Sequence, residues 1–342
     1  MPPNLSAAPT YRLRRYALAL WLCCWGASAH AAVFTGEREA AWQRWLDAGA
    51  LNQLEQAAQQ RLQAQPEDVE GWLALTLSSL DLADGRQLAS AVAALERCVA
   101  RQPGLARCHY ALALGLSAQA RVGSKWKLMA QVGRVQGLLQ RALELDPQLH
   151  EARSALQQLW LAMPAMLGGG VDKARTLQQG VRDAEVLHLM RAREADARKD
   201  RDAVERELRA VRATRQAGLL FELRLQWADL GRDWMFDGQL DRARAWYELL
   251  LQEHPRQAVG AYGLARVLLA QGQPRQALQW LDKARQMDGA ELLALDVRAG
   301  ECWAALGDTG QARAAYERYL KDRRASARHA EEARKQLAAL PR

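Results

Sequence analysis

The sequence predicts an all-α protein assembled from repeated helix pairs, and three observations carry this. Ile is absent and Thr occurs six times in 342 residues, so the β-branched residues that favour a sheet are scarce. Ala, Leu, Gln and Arg abound, and ten Pro leave long stretches free to be helical. Apolar and small residues recur at a spacing of 34, the mark of a repeat array. With 49% hydrophobic and 25% charged residues, the chain is built for a sizeable core and is not disordered throughout.

Residues 1–31 have the order of an export signal. Tyr11-Arg12-Leu13-Arg14-Arg15-Tyr16 is basic, residues 17–25 are apolar, and Gly26-Ala27-Ser28-Ala29-His30-Ala31 ends in two A-x-A sites, with cleavage expected after Ala31. The apolar run alone is shorter than the ~20 residues a span needs. An uncleaved anchor extending to Phe34 is the alternative. Lipid attachment at Cys23 or Cys24 is rejected, because Leu22 and Cys23 stand where small residues are wanted. Export predicts an oxidising compartment. The net charge of +8 includes Arg12, Arg14 and Arg15; without them the remainder is only +5.

The repeat is clearest at residues 227–255. Trp227, Leu230, Gly231 and Trp234 fall at i, i+3, i+4 and i+7, giving an apolar helix face with a gap at the glycine. Asp237-Gly238 breaks the helix; Ala243, Tyr247 and Leu250 form a second stripe, which Pro255 ends. Thirty-four residues on stand Leu264, Ala265, Leu268 and Ala277; one residue later still, Gly300, Trp303, Gly307, Ala312 and Tyr316 take the equivalent places. The pattern resembles the tetratricopeptide repeat, strongly over 217–320 and more weakly before. An enlarged third repeat and the connector Met163-Pro164-Ala165-Met166-Leu167-Gly168-Gly169-Gly170-Val171-Asp172-Lys173-Ala174 are similar to exported bacterial members, with a distant likeness to the T components of tripartite periplasmic transporters.

The resemblance implies a right-handed α-solenoid of about eight antiparallel helix pairs, at 36–67, 69–104, 106–148, 150–183, 184–216, 217–256, 258–290 and 292–324, with a capping helix at 326–340. Residues 36–216 would be the divergent half and 217–340 the regular one. In that frame Cys98 and Cys108 face each other across adjacent helices and are a disulfide candidate, leaving Cys302 as a packed apolar residue. Groove-facing places are Arg107, Tyr110, Leu114 and Ser117 in the third repeat, Ala228, Arg232 and Met235 in the sixth, and Tyr262, Arg266 and Leu269 in the seventh. Arg and aromatic residues there would anchor a peptide.

Candidate chemistry is sparse. Gly168-Gly169-Gly170 before Lys173 lacks phosphate-loop spacing and a preceding strand, so a connector with Asp172 capping the next helix is expected. The six His form no H-E-x-x-H, no Cys pair has zinc spacing and no Ser lies in a G-x-S-x-G elbow, so no metal, cofactor or catalytic residue is expected. Two Asn in the whole chain and an export signal argue against nucleic acid. Residues 97–143 carry eight bases and no acid; Arg121, Lys125, Lys127 and Arg134 are the core of this basic patch, which is either a solvated helical face or a surface for an anionic partner: an acidic protein segment, lipid head groups or envelope polymer. The expectation is a non-catalytic periplasmic scaffold with a protein or peptide in its groove. The alternatives are a transporter accessory holding a small solute and, last, an unrecognised enzyme.

Overall fold

The computed structural model describes residues 33–80, 85–122, 125–211 and 217–341; the expected export segment lies outside them. Among the described residues there are seventeen α-helices and no strand. They form eight pairs and a last helix. These are α1 (Ala40–Ala48) with α2 (Leu51–Ala64), α3 (Val69–Ser78) with α4 (Gly85–Arg101), α5 (Ala106–Val122) with α6 (Lys125–Leu145), and α7 (His150–Ala162) with α8 (Val171–Thr176). Then come α9 (Ala184–Ala197) with α10 (Arg201–Ala210), α11 (Leu220–Phe236) with α12 (Leu240–Glu253), α13 (Ala258–Ala270) with α14 (Pro274–Ala284), α15 (Leu295–Ala305) with α16 (Thr309–Lys321), and α17 (Ala327–Ala339). The architecture is an all-α helical solenoid.

Glycine sets the repeat twice over. Gly238, Gly272 and Gly307 end α11, α13 and α15 with φ of +73°, +74° and +80°, a left-handed backbone that other residues adopt at a cost. Beyond each, an amide reaches back to the helix: Gln239 to the Trp234 carbonyl at 2.8 Å, Gln273 to Leu268 at 2.9 Å and Asp308 to Trp303 at 3.0 Å. The second use is close approach. Tyr247 on α12 lies against Gly231 of α11 and Gly263 of α13, where a Cβ would overlap its ring. Trp227, Leu230, Trp234 and Ala243 are buried around it, and the Trp246 indole donates to the Trp227 carbonyl at 3.0 Å.

The connector before α8 departs from expectation. Asp172 does not cap the helix; Gly170 (φ +102°) occupies that place without a side chain, and Asp172 sits in the first turn facing Arg175 at 3.8 Å. The backbone has already been fixed by the Gly170 amide donating to the Trp160 carbonyl at 2.7 Å.

The first helix pair folds onto the later repeats. The Gly289 amide donates to the Ala48 carbonyl at 2.6 Å, Arg224 Nη1 to the Leu46 carbonyl at 3.2 Å, and the Asn52 amide to Glu291 Oε2 at 3.2 Å. Arg324, just before α17, donates to Asn52 Oδ1 at 2.7 Å, the Ser78 carbonyl at 2.7 Å and Glu55 Oε2 at 2.8 Å. The turn between α1 and α2 is thereby seated against the N-terminal ends of α11, α15 and α17.

Candidate functional site

The residues expected in the groove fall into two groups, one on α5 and one on α11 and α13. Arg107, in the first turn of α5, donates to Glu70 Oε1 at 2.9 Å, Glu151 Oε1 at 3.3 Å and the Val33 carbonyl at 2.7 Å. Tyr110 is buried beside it. Burial, reinforced by Glu151, pushes the Tyr110 hydroxyl above its usual range, and burial also pushes the Glu151 carboxyl up against the pull of Arg107. The network continues into α9 and α11. Glu222 accepts from Ser154 Oγ at 2.6 Å and pairs with Arg193, with His150 Nε2 at 3.4 Å from its other oxygen. Burial alone would raise Glu222, but Arg193, His150 and Ser154 hold it below the usual carboxylate range. Glu70, Glu151 and Glu222 each lie in the first turn of a helix, where the dipole favours an anion. These buried charges pair with one another, so the chain itself occupies Arg107 and Tyr110. Ser117 is likewise turned inward, donating to the Ala113 carbonyl of its own helix at 2.8 Å.

The second group lies on α11 and α13, with Arg298 of α15 beside it. Arg232 pairs with Asp229 at 2.6 Å, and Met235 is half-buried beside it. Tyr262 is buried, with the Arg266 guanidinium 5.8 Å from its ring centre and Arg298 Nε 3.4 Å from its hydroxyl. Arg298 crosses on to Glu301 at 2.5 Å and Glu332 at 2.7 Å, so a row of paired charges runs over successive first helices. Periodicity had not singled out Leu225 and Phe236, which are 61% and 72% exposed. They stand three turns apart on the stripe of α11 that also holds Asp229 and Arg232. Their signal was available: large apolar residues off the Trp227–Leu230–Trp234 face have nothing in the repeat to cover them.

The acid-free run at 97–143 is not acid-free in space. Arg97 and Arg101 meet Glu67 at 3.2 and 3.3 Å, Arg134 meets Glu96 at 2.7 Å, and Arg141 meets Glu144 at 2.9 Å. The side chains of Arg121, Lys125 and Lys127 lie outside the described residues. Lys173 donates to the Gly168 carbonyl at 2.6 Å and sits 4.4 Å from the Trp160 ring centre, so the glycine connector holds its own lysine. Cys98 and Cys108 form a disulfide, Cα–Cα 5.6 Å, and Cys302 is buried, its thiol pushed up to about 12 by that burial. Among the described residues no group of three or more His, Cys, Asp or Glu is placed to hold a metal ion, and no helix is long and apolar enough to cross a membrane.

Residues 229–340 match the family model of the tetratricopeptide repeat-like domain. The C-terminal repeats are tetratricopeptide repeat-like. No curated protein matches the sequence. Among solved structures, the chain is similar to yeast Tom70, with a TM-score of 0.51 and 15% identity over 90% of this chain and 62% of that one. It is similar to human IFIT1, solved as a dimer with m7Gppp-AAAA, with a TM-score of 0.51 and 15% identity over 79% of this chain and 60% of that one. A tetratricopeptide repeat protein from Parabacteroides merdae aligns at 16% identity over 79% of this chain and 97% of that one, with a TM-score of 0.45. The chain thus spans about three fifths of the length of Tom70 and IFIT1. At these identities the likeness is one of fold.

Proposed function

We propose that the whole chain is a tetratricopeptide repeat scaffold, exported to the periplasm and non-catalytic, that docks a protein segment on the accessible face of α11, α13 and α15. The observation that carries this reading is the pair Leu225 and Phe236. Few large apolar side chains of the described residues stand exposed, and these two share one helix stripe with a salt-bridged Arg232 between them. Exposed apolar anchors flanked by charge are what a recognition surface offers, whereas a purely structural face would be polar. The repeat frame assigns this same face to the groove. Arg266, half-buried over Tyr262, supplies a cation at the next helix, and Glu301 and Glu332 supply anions beyond it. The expected partner segment therefore carries apolar anchors and charges of both signs. A partner made only of acidic residues would waste the second half of this row. Export rests on the basic, apolar, small-residue order of residues 11–31.

The test is crosslinking and recovery from the periplasm, with mass spectrometry of what accompanies the full chain and its Leu225→Ser/Phe236→Ser variant. Both side chains are exposed, so stability should change by no more than about 0.5 kcal/mol per site. Partner recovery should fall at least tenfold. Unchanged recovery by the folded double variant would discard this face as the docking site.

A further inference from the structure

A cleft of about 540 Å³ opens at the seam where the first helix pair meets the later repeats. Two helices end at it: α1 at Ala48 and α12 at Glu253. Helix C-termini carry partial negative charge, which favours a cation. Asp47, Glu253 and Asp288 add carboxylates to the lining, against Arg44 and Arg256. Asp288 is already engaged by Arg256 at 3.2 Å, and both arginines lie at the solvent side.

Asp47 is the informative group. It is 8% exposed and lines the cleft, yet it makes no ion pair among the described residues. One oxygen accepts from Gln43 Nε2 at 2.8 Å; the other has no hydrogen bond. The buried Arg224 acts on it through its charge but makes no ion pair with it, donating to Gln257 Oε1 at 2.7 Å and to the Leu46 carbonyl. Burial pushes the Asp47 carboxyl up to about 6, against the opposing pull of Gln43 and Arg224. A buried carboxylate that no cation contacts directly is costly unless something supplies one. Beside it the wall is apolar, formed by Ala48, Leu220 and Pro255. The His254 ring on the same wall is stacked on Trp227 at 4.4 Å.

We propose that this cleft binds a primary alkyl-ammonium group, with the ammonium on Asp47 and the alkyl stem along Leu220, Ala48 and Pro255. The volume far exceeds what a bare metal ion needs, and no metal-holding group is present among the described residues. A compact ammonium on a flexible apolar stem matches a single free carboxylate oxygen beside an apolar wall better than a flat guanidinium fork does. The shared chemistry has two sources, a lysine side chain of another protein or a free alkylamine. This site is separate from the α11–α15 face and does not depend on it.

The test uses the full chain, with thermal unfolding followed in n-butylammonium chloride, in Nα-acetyl-lysine methylamide, and in sodium chloride or tetramethylammonium chloride at matched ionic strength. Butylammonium, the lysine amide, or both should raise the midpoint above the salt controls. A response to the lysine amide alone assigns the site to a protein side chain; a response to butylammonium assigns it to free amines as well. The apparent affinity should fall about tenfold per pH unit below about 6, as Asp47 takes up its proton. Asp47→Asn should abolish the response, and Glu253→Gln should weaken it. Midpoints equal to the salt controls overturn the proposal. So does a response that is flat with pH in the wild type, a test that holds even if Asp47→Asn fails to fold, or one that survives both substitutions.

Discussion

At the scale of single residues, the chain spends its small and its buried polar positions differently. Gly263 and Gly231 exist so that the Tyr247 ring can lie between α11 and α13. Gly263→Ala should therefore cost about 1–3 kcal/mol through overpacking. Gly133→Ala on α6, where nothing lies within 4 Å, should instead gain a few tenths to about 1 kcal/mol. Urea unfolding of the two variants checks both signs. Asp47 makes a prediction of the opposite kind. Its folded-state value of about 6 stands above the ordinary 3.8, so the folded chain binds this proton more tightly than the unfolded chain. That contribution is fully present below about pH 4 and is lost as the pH rises through about 6. Asp47→Asn keeps the neutral form at every pH. It should be more stable than wild type at pH 7 by an amount of order 2 kcal/mol, the gap closing at acid pH. Denaturant midpoints at the two pH values decide it; a variant weaker at neutral pH would show that the carboxylate is satisfied after all.

At the scale of elements, the sequence was legible where a local rule fixes the backbone. The helix pairs follow from the period of the apolar stripes and from glycines at 238, 272 and 307, each of which ends a helix by its own conformation. Cys98 and Cys108 were legible for the same reason, since α4 and α5 are neighbours in chain and in space. Because that bridge closes a loop of ten residues, replacing both cysteines by Ala should cost about 2–3 kcal/mol. Reduction with dithiothreitol should lower the unfolding midpoint of the wild type and leave the variant unmoved. The cap of α8 was misread because Gly169 lies so close to the Trp160 carbonyl (2.6 Å from a Cβ built there) that the connector turns before Asp172 is reached. Pairing within the basic run was hidden in the sequence for a related reason. Charges sparse along the chain, Glu67 and Glu96, are brought to Arg97, Arg101 and Arg134 by packing of adjacent helices.

At the scale of the whole molecule, closure was illegible. It joins groups 178 to 272 positions apart, and no periodicity marks Arg224, Glu55 or Arg324 as different from other charges. Closure also brings backbone of the N-terminal segment to the first turns of later first helices: the Val33 carbonyl accepts from Arg107 and the Leu46 carbonyl from Arg224, while Phe236 at the far end of α11 stays exposed. Arg324 is the hub of this seam. Its guanidinium is nearly fully buried and satisfied by Asn52, Glu55 and the Ser78 carbonyl, and Glu55 is only 2% exposed. Arg324→Ala would leave Glu55 buried with only the more exposed Arg323 as its cation, at a cost of about 3–5 kcal/mol. If the seam holds the first pair in place, that variant should also show a larger radius of gyration by small-angle scattering and faster amide exchange in α1. The paired replacement Arg324→Met/Glu55→Leu removes both charges, and such swaps of a buried ion pair are often neutral or stabilising. It should regain most of the lost stability and the compact radius. Recovery would mean that burial of surface closes the solenoid and that the ion pair merely has to be complete. A double variant that stays expanded would instead make the directed polar contacts of Arg324 and Glu55, with Asn52, Ser78, Glu291 and Arg323, the cause of closure.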